Sequence, residues 1–147
     1  MTRRITHRPG SDSDLEFLYL LLKRSLGPHV EATYGPWDEQ WQRTRFLETT
    51  DPSEHRVVEF NGQPIGCMLV EETSEALQLH RVLLLPEHQN RGIGSTLVHE
   101  LVERAVDRGK PVRLQVFRVS PAVRFYARLG FRPVGETETH VLMEYAA

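Results

Sequence analysis

Apolar and polar residues follow two rhythms along this chain, and each marks a kind of element. The clearest helical rhythm runs through Ile93, Leu97, Val98, Leu101, Val102 and Ala105. Steps of three and four gather these residues on one face of an α-helix. Gly109 is suited to stop that helix near Arg108. A second stripe, Leu15, Leu18, Leu22 and Leu26, follows Ser11 and Ser13, either of which can cap a helix that Asp14 and Glu16 favour in its first turn. Gly27-Pro28 is expected to end it and to leave residues 29–36 as a loop. A further helix is expected over residues 37–48, with Trp37 and Trp41 one turn apart.

The remaining apolar residues sit in short segments of strand character. Residues 4–8 predict a first strand, and residues 56–60 and 65–70 a hairpin around Asn61-Gly62, a strong two-residue turn signal. Thr73-Ser74 marks the next turn, before a strand over residues 76–85. Val112, Leu114 and Val116 share one face of a strand over residues 112–119. Ser120 then caps a short helix, Pro121 suits its first position and Gly130 ends it. Residues 131–136 and 139–145 complete a final hairpin. The order is β-α-α-β-β-β-α-β-α-β-β, an α+β fold with a mixed sheet flanked by helices.

Composition narrows the function classes. A chain of 147 residues with 39% hydrophobic and 26% charged residues is expected to be one domain over residues 1–147. A formal net charge of −2 argues against general nucleic-acid binding. A single cysteine, Cys67, cannot form an internal disulfide, so a reducing cytoplasm is the expected setting. It lies in the apolar run Ile65-Gly66-Cys67-Met68-Leu69-Val70 and reads as a small buried hydrophobe. No apolar run approaches the ~20 residues of a membrane span, and Met1-Thr2-Arg3-Arg4 lacks the apolar stretch of a signal peptide.

The candidate chemistry centres on Gln89-Asn90-Arg91-Gly92-Ile93-Gly94-Ser95, between an apolar strand and the clearest helix. Glycine permits a tight turn and close approach of a ligand to the backbone. The first amides of the helix lack intrahelical partners and favour an anion, most often a phosphate. The spacing is neither the dinucleotide fingerprint nor the Walker loop. An apolar strand ending in Pro86, then Gln-Asn-Arg-Gly-Ile-Gly, then an amphipathic helix resembles the acetyl-CoA loop of the GNAT superfamily of N-acetyltransferases. Ser120-Pro121-Ala122-Val123-Arg124-Phe125-Tyr126-Ala127-Arg128-Leu129-Gly130-Phe131 is similar to that family's N-x-x-A-x-x-F-Y-x-x-x-G-F segment. The two matches cover roughly residues 77–135, and the element order extends the likeness over the whole chain.

The resemblance implies the fold and a reaction: transfer of an acetyl group from acetyl-CoA, as cosubstrate and without a metal, to a primary amine of a small molecule. A protein N-terminus or lysine as acceptor, or a non-catalytic acyl-CoA-binding module, are the alternatives, and a homodimer is left open. Backbone amides from Gln89, Asn90, Arg91, Gly92, Ile93, Gly94 and Ser95 would cradle the pyrophosphate, with Arg91 adding charge. The main chains of Val82, Leu83 and Leu84 would line the pantetheine arm, and one amide there could serve as an oxyanion donor. Tyr126 would protonate the leaving thiolate. Ser120 stands where the family usually has Asn, and Arg128 where it often has a base near the CoA phosphates. For the proton of the attacking amine the candidates are His80, whose imidazole can accept one, and Glu71 or Glu72, only one of which can face the cleft; a water chain with no dedicated base is the alternative. Gln78 shares a strand face with His80 but cannot take a proton. The expected acceptor overhang, residues 29–41, sets carboxylates among aromatic rings, with Glu31, Tyr34, Trp37 and Asp38 as candidate contacts for an ammonium group.

Overall fold

The computed structural model describes residues 5–146. Arg4, expected in the first strand, and the N-terminal residues read against a leader lie outside the described residues. The strands are β1 (Ile5–Pro9), β2 (Arg56–Phe60), β3 (Gln63–Glu72), β4 (Leu77–Leu84), β5 (Val112–Phe117), β6 (Arg132–Glu136) and β7 (His140–Tyr145). The helices are α1 (Leu15–Tyr34), α2 (Glu39–Thr49), α3 (Ile93–Asp107) and α4 (Ala122–Arg128). The element order and mixed sheet are those expected. Seven strands form one sheet in the order β1-β2-β3-β4-β5-β7-β6. Every neighbouring pair is antiparallel except β4–β5. That parallel pair meets over only three positions, Leu77–Val112, Gln78–Arg113 and Leu79–Leu114, after which the two strands part.

The helices cover both faces of the sheet. All six residues of the α3 stripe are buried. Leu97 and Ile93 pack with Val58, Ile65 and Leu84, while Val98, Leu101 and Ala105 pack with Leu77, Leu114 and Tyr126. On the other face Leu18, Tyr19 and Leu21 of α1 and Phe46 of α2 close over Cys67 and Leu83. Burial pushes the Cys67 thiol up to about 12, so it is a neutral apolar filler and not a nucleophile.

Helix α1 does not stop at Gly27-Pro28 but continues to Tyr34, so residues 29–34 are helical rather than a loop. Gly27 is buried, and a β-carbon there would lie 3.9 Å from the Trp37 ring. The ring therefore rests on the helix backbone itself. An interior proline costs ~3 kcal/mol of helix stability, and the contact of the partly buried Trp37 with the helix returns part of that. Helix α2 is held against α1 by the Arg43–Glu16 ion pair and by the carboxylate of Glu39. Glu39 Oε2 accepts from Tyr19 Oη at 2.9 Å and Trp37 Nε1 at 3.1 Å, and pairs with Lys23 Nζ at 2.8 Å.

A bulge in the centre of the sheet sets up the site. Leu69 of β3 faces Arg81 of β4, but the next residue, Val70, faces Leu79, which leaves His80 as the extra residue. Leu77 and Leu79 turn toward α3. Beyond the bulge Val82 and Leu84 take over that face, and Leu83 packs under α1. Arg81, whose guanidinium lies 5.9 Å from the Phe46 ring centroid, also turns toward α1 and α2. One extra residue inverts the facing of everything after it.

The N-terminal edge is tied down by an ion pair whose carboxylate is buried. Asp14 is 5% exposed and accepts from Arg8 Nη1 at 2.8 Å, Arg8 Nη2 at 2.9 Å and the Ser11 amide at 2.9 Å. The Arg8 side chain beside it lowers the Asp14 pKa from 3.8 to about 2. A depressed carboxylate pKa contributes stability above the unfolded-state value that is lost as pH falls through the folded-state value. The contribution is therefore complete above about pH 4 and fades toward pH 2, with a ceiling of roughly 2 kcal/mol. We predict that Asp14→Asn lowers the urea-unfolding free energy by about that amount at pH 7 and that the gap to wild type narrows toward pH 3. An unchanged gap across that range would place the stabilisation elsewhere.

Candidate functional site

The parting of β4 and β5 opens a cleft of about 590 Å³, lined among others by Val82, Leu83, Leu84, Gln89, Gly92, Ser95, Gln115, Ser120 and Tyr126. One wall is the free side of β4. The Leu85 amide donates across to Ile65 of β3 at 2.8 Å. Strand alternation then turns the main-chain groups of Val82 and Leu84 toward the cleft and those of Leu83 toward β3. Of the three residues expected along the ligand arm, Leu83 therefore offers its main chain to the sheet instead. The Leu84 carbonyl is already taken, accepting from Ser25 Oγ at 3.1 Å and Gln89 Nε2 at 3.0 Å. Hydrogen-bonding capacity remains on Val82 and on the Leu84 amide.

The end of the cleft is the start of α3. Asn90 and Gly92 have φ of 60° and 82°, the left-handed region that glycine enters without penalty. Gly92 is the N-cap, and the first amide to bond back within the helix is that of Thr96, to the Gly92 carbonyl at 3.1 Å. The amides of Ile93, Gly94 and Ser95 precede it and point outward, at the positive end of the helix dipole. Asn90, Gly92, Gly94 and Ser95 line the cleft. Ile93 sends its side chain into the core at 3% exposure, and Arg91 is exposed on the loop. A β-carbon on Gly94 would meet Phe125 Cζ at 3.5 Å, and one on Gly92 would meet nothing within 4 Å. The open surface beside the amides is what these glycines leave for a ligand.

The opposite wall is α4. Tyr126 is 7% exposed, stacked edge-on with Phe125 and Phe131. Burial pushes its hydroxyl up to about 12, and it faces the cleft without a hydrogen-bond partner among the described residues. Ser120 Oγ accepts from the Ala122 amide at 3.0 Å, so it works as a cap for α4. Arg128 is exposed at the rim.

The sheet's other face carries a second recess of about 650 Å³, lined by Glu54, Leu69, Val70, Glu71, His80 and Arg81. His80 and Arg81 line both spaces. His80 Nε2 lies 3.0 Å from Glu71 Oε1. Glu72 is on the opposite face, bonded to Arg108 and, at 2.9 Å, to Lys110. Of the two glutamates only Glu71 meets the recess, and Glu72 belongs to a surface ion cluster.

The overhang residues divide. Asp38 caps α2, accepting from the Trp41 amide at 3.0 Å, and Trp37 is committed to Gly27 and Glu39. Neither lines the cleft or the recess. Tyr34 is 64% exposed and lies edge-on to Phe117, ring centroids 6.1 Å apart. Phe117 itself stacks on His140 at 4.4 Å, at the mouth of the cleft. Glu31 is exposed on the last turns of α1. Sequence reading missed Arg81, Phe117 and His140. Only the period of two was available for Arg81, and it points that side chain to the wrong face.

Comparison with known proteins bears on this geometry. A model of the Acetyltransferase (GNAT) family matches residues 16–131. An uncharacterized N-acetyltransferase of Methanocaldococcus jannaschii is 33% identical over 104 residues, 63% of this chain and 46% of that protein. The chain thus spans under half the length of that relative. An uncharacterized N-acetyltransferase of Archaeoglobus fulgidus is 28% identical over 120 residues, 71% of this chain and 82% of that protein. The PaiA N-acetyltransferase of Thermoplasma acidophilum, solved in complex with coenzyme A, has the same fold. It superposes with a TM-score of 0.77 at 23% identity over 98% of this chain and 99% of that one.

The open amides at Gly92–Ser95 generate a prediction of their own. Gly92→Asp sets a carboxylate beside them and forces a left-handed residue, a strain of about 1 kcal/mol. Affinity for coenzyme A should fall tenfold or more, about 1.4 kcal/mol, in a protein that still unfolds cooperatively. Calorimetric titration giving wild-type affinity would remove these amides from the ligand site.

Proposed function

Because the chain belongs to the Acetyltransferase (GNAT) family, we propose that it transfers an acetyl group from acetyl-CoA to the primary amine of a small molecule. The observation that carries this reading is the cleft itself. An unpaired strand edge, an open helix N-terminus and a buried phenol converge on one space. The residues fit the cosubstrate. The amides of Ile93, Gly94 and Ser95 match a pyrophosphate, and Val82 and Leu84 match an amide-bearing arm laid along β4 as an extra strand.

In the chemical step the amine nitrogen attacks the thioester carbon and the carbon–sulfur bond breaks. The amine must arrive without its extra proton. We assign that task to His80, which lines both cleft and recess. With the Nε2 proton held by Glu71 at 3.0 Å, Nδ1 keeps the lone pair that accepts. The departing sulfur needs a proton, and Tyr126 supplies it. A phenol whose pKa stands at about 12 stays protonated throughout the neutral range. The burial that weakens it as an acid also makes the thiolate a stronger base. A main-chain amide of β4 facing the cleft supports the carbonyl oxygen as charge develops there. The acceptor side, a recess bounded by six residues, has the scale of a small-molecule site.

Incubation of the protein with acetyl-CoA and a panel of amines, following free thiol, tests the reading. Amine-dependent thiol release supports it, and its absence across small amines and peptide N-termini alike would refute it. Tyr126→Phe keeps the ring and its packing. We expect turnover to fall ten- to a hundredfold with coenzyme A affinity unchanged, the pattern of an interaction made in the transition state. His80→Gln should do the same to turnover. Equal turnover in either variant would demote that residue to a structural one.

A further inference from the structure

Arg81 is out of place in a sheet centre. Its guanidinium is stacked near Phe46 and bonded through Nη1 to His55 Nε2 at 3.3 Å. His55 is 3% exposed, and burial and the neighbouring Arg81 hold its pKa below the ordinary imidazole value. It is therefore neutral, accepts from Arg81, and donates from Nδ1 toward the Asp51 carbonyl at 3.3 Å. That contact balances no charge. Burial pulls the Arg81 pKa below the ordinary guanidinium value, yet an arginine keeps its proton in a protein. Among the described residues the other half-buried arginines, Arg8 and Arg43, each have a carboxylate within ion-pair distance. Arg81 has none among the described residues. A half-buried cation without a counter-charge costs stability, and Arg81 lines the recess, where an anion can reach it.

The bulge gives this cation its place. His80 and Arg81 are consecutive, and in a regular strand they would point to opposite faces. Here both line the recess. One offers an acceptor for an amine proton and the other a planar, five-donor fork that matches a carboxylate. Glu54 and Glu71 line the same recess. They favour an ammonium group and disfavour a ligand whose charges are all negative.

We propose that Arg81 is the carboxylate-binding residue of the acceptor recess, so that the acceptor is an amino carboxylate: an amino acid or a compound presenting an amine and a carboxylate at similar spacing. The assignment rests on the transferase reading for the identity of the recess, and its test does not depend on turnover. N-acetylated amino acids with apolar, polar and charged side chains are titrated by calorimetry into the coenzyme A-saturated protein, each beside its carboxamide. At least one acid should bind tenfold or more tightly than its amide. Arg81→Gln should erase that preference, and Arg81→Lys should restore part of it. The proposal is overturned if no acid outbinds its amide in the wild type, or if the preference persists in Arg81→Gln. Should Arg81→Gln fail to fold, the wild-type comparison decides alone. Acid preference without acetylation of any amine would refute the transferase reading and leave the carboxylate site standing.

Discussion

Three residue pairs, from Leu77–Val112 to Leu79–Leu114, join the two halves of the sheet, and the rest of the molecule is arranged around how soon that pairing ends. A parallel ladder continued to Leu84 would satisfy the edge of β4 and fill the sheet. Ending it early leaves polar main chain facing an interior space. That space persists because each half is fixed by other means. Strands β1 to β4 are held by antiparallel pairing and by Leu97 and Ile93 of α3, and strand β5 by its full-length ladder to β7. Helix α3 bridges both halves near the point where they diverge. The cleft is thus a consequence of two well-packed halves that agree at one end only.

The site's chemistry follows from burial acting on ordinary groups. The Tyr126 phenol and the Cys67 thiol are both pushed up to about 12 by loss of water, but only the phenol lines the cleft. The same desolvation bears on Arg81, whose pKa it lowers and whose guanidinium meets no carboxylate at ion-pair distance among the described residues. On the helical side, Glu39 shows the opposite arrangement, a carboxylate surrounded by donors from α1 and from the segment that leads into α2. It fixes the position of Trp37, and through Trp37 the path of α1 past its own proline.

Much of this was legible in the sequence because the strongest signals were local. The α3 stripe named all six buried residues, Asn61-Gly62 gave the hairpin, and Gly92 and Gly109 marked the start and end of α3. The α1 terminus was not legible, because Gly27-Pro28 is a stop by local rules and a packing surface for Trp37 by tertiary contact. Asp38 and Trp37 read as ligand groups because carboxylates and rings are the right types. Their hydrogen-bonding capacity is used within the fold instead. Arg81 was hidden by the bulge, which depends on the register of two strands and has no signature in β4 alone.

The parted strands also raise a question of self-association. An unpaired strand edge is the usual template on which a second chain adds itself. Here that edge lies inside the molecule, with Ser25 of α1 and Gln89 of the loop both donating to the Leu84 carbonyl. Those two side chains occupy the acceptor that an incoming backbone would need next in register. The exposed stretch is thereby cut to the length of a slender linear ligand. The fold keeps an open strand for its chemistry while denying polypeptide chains the run of partners that aggregation requires.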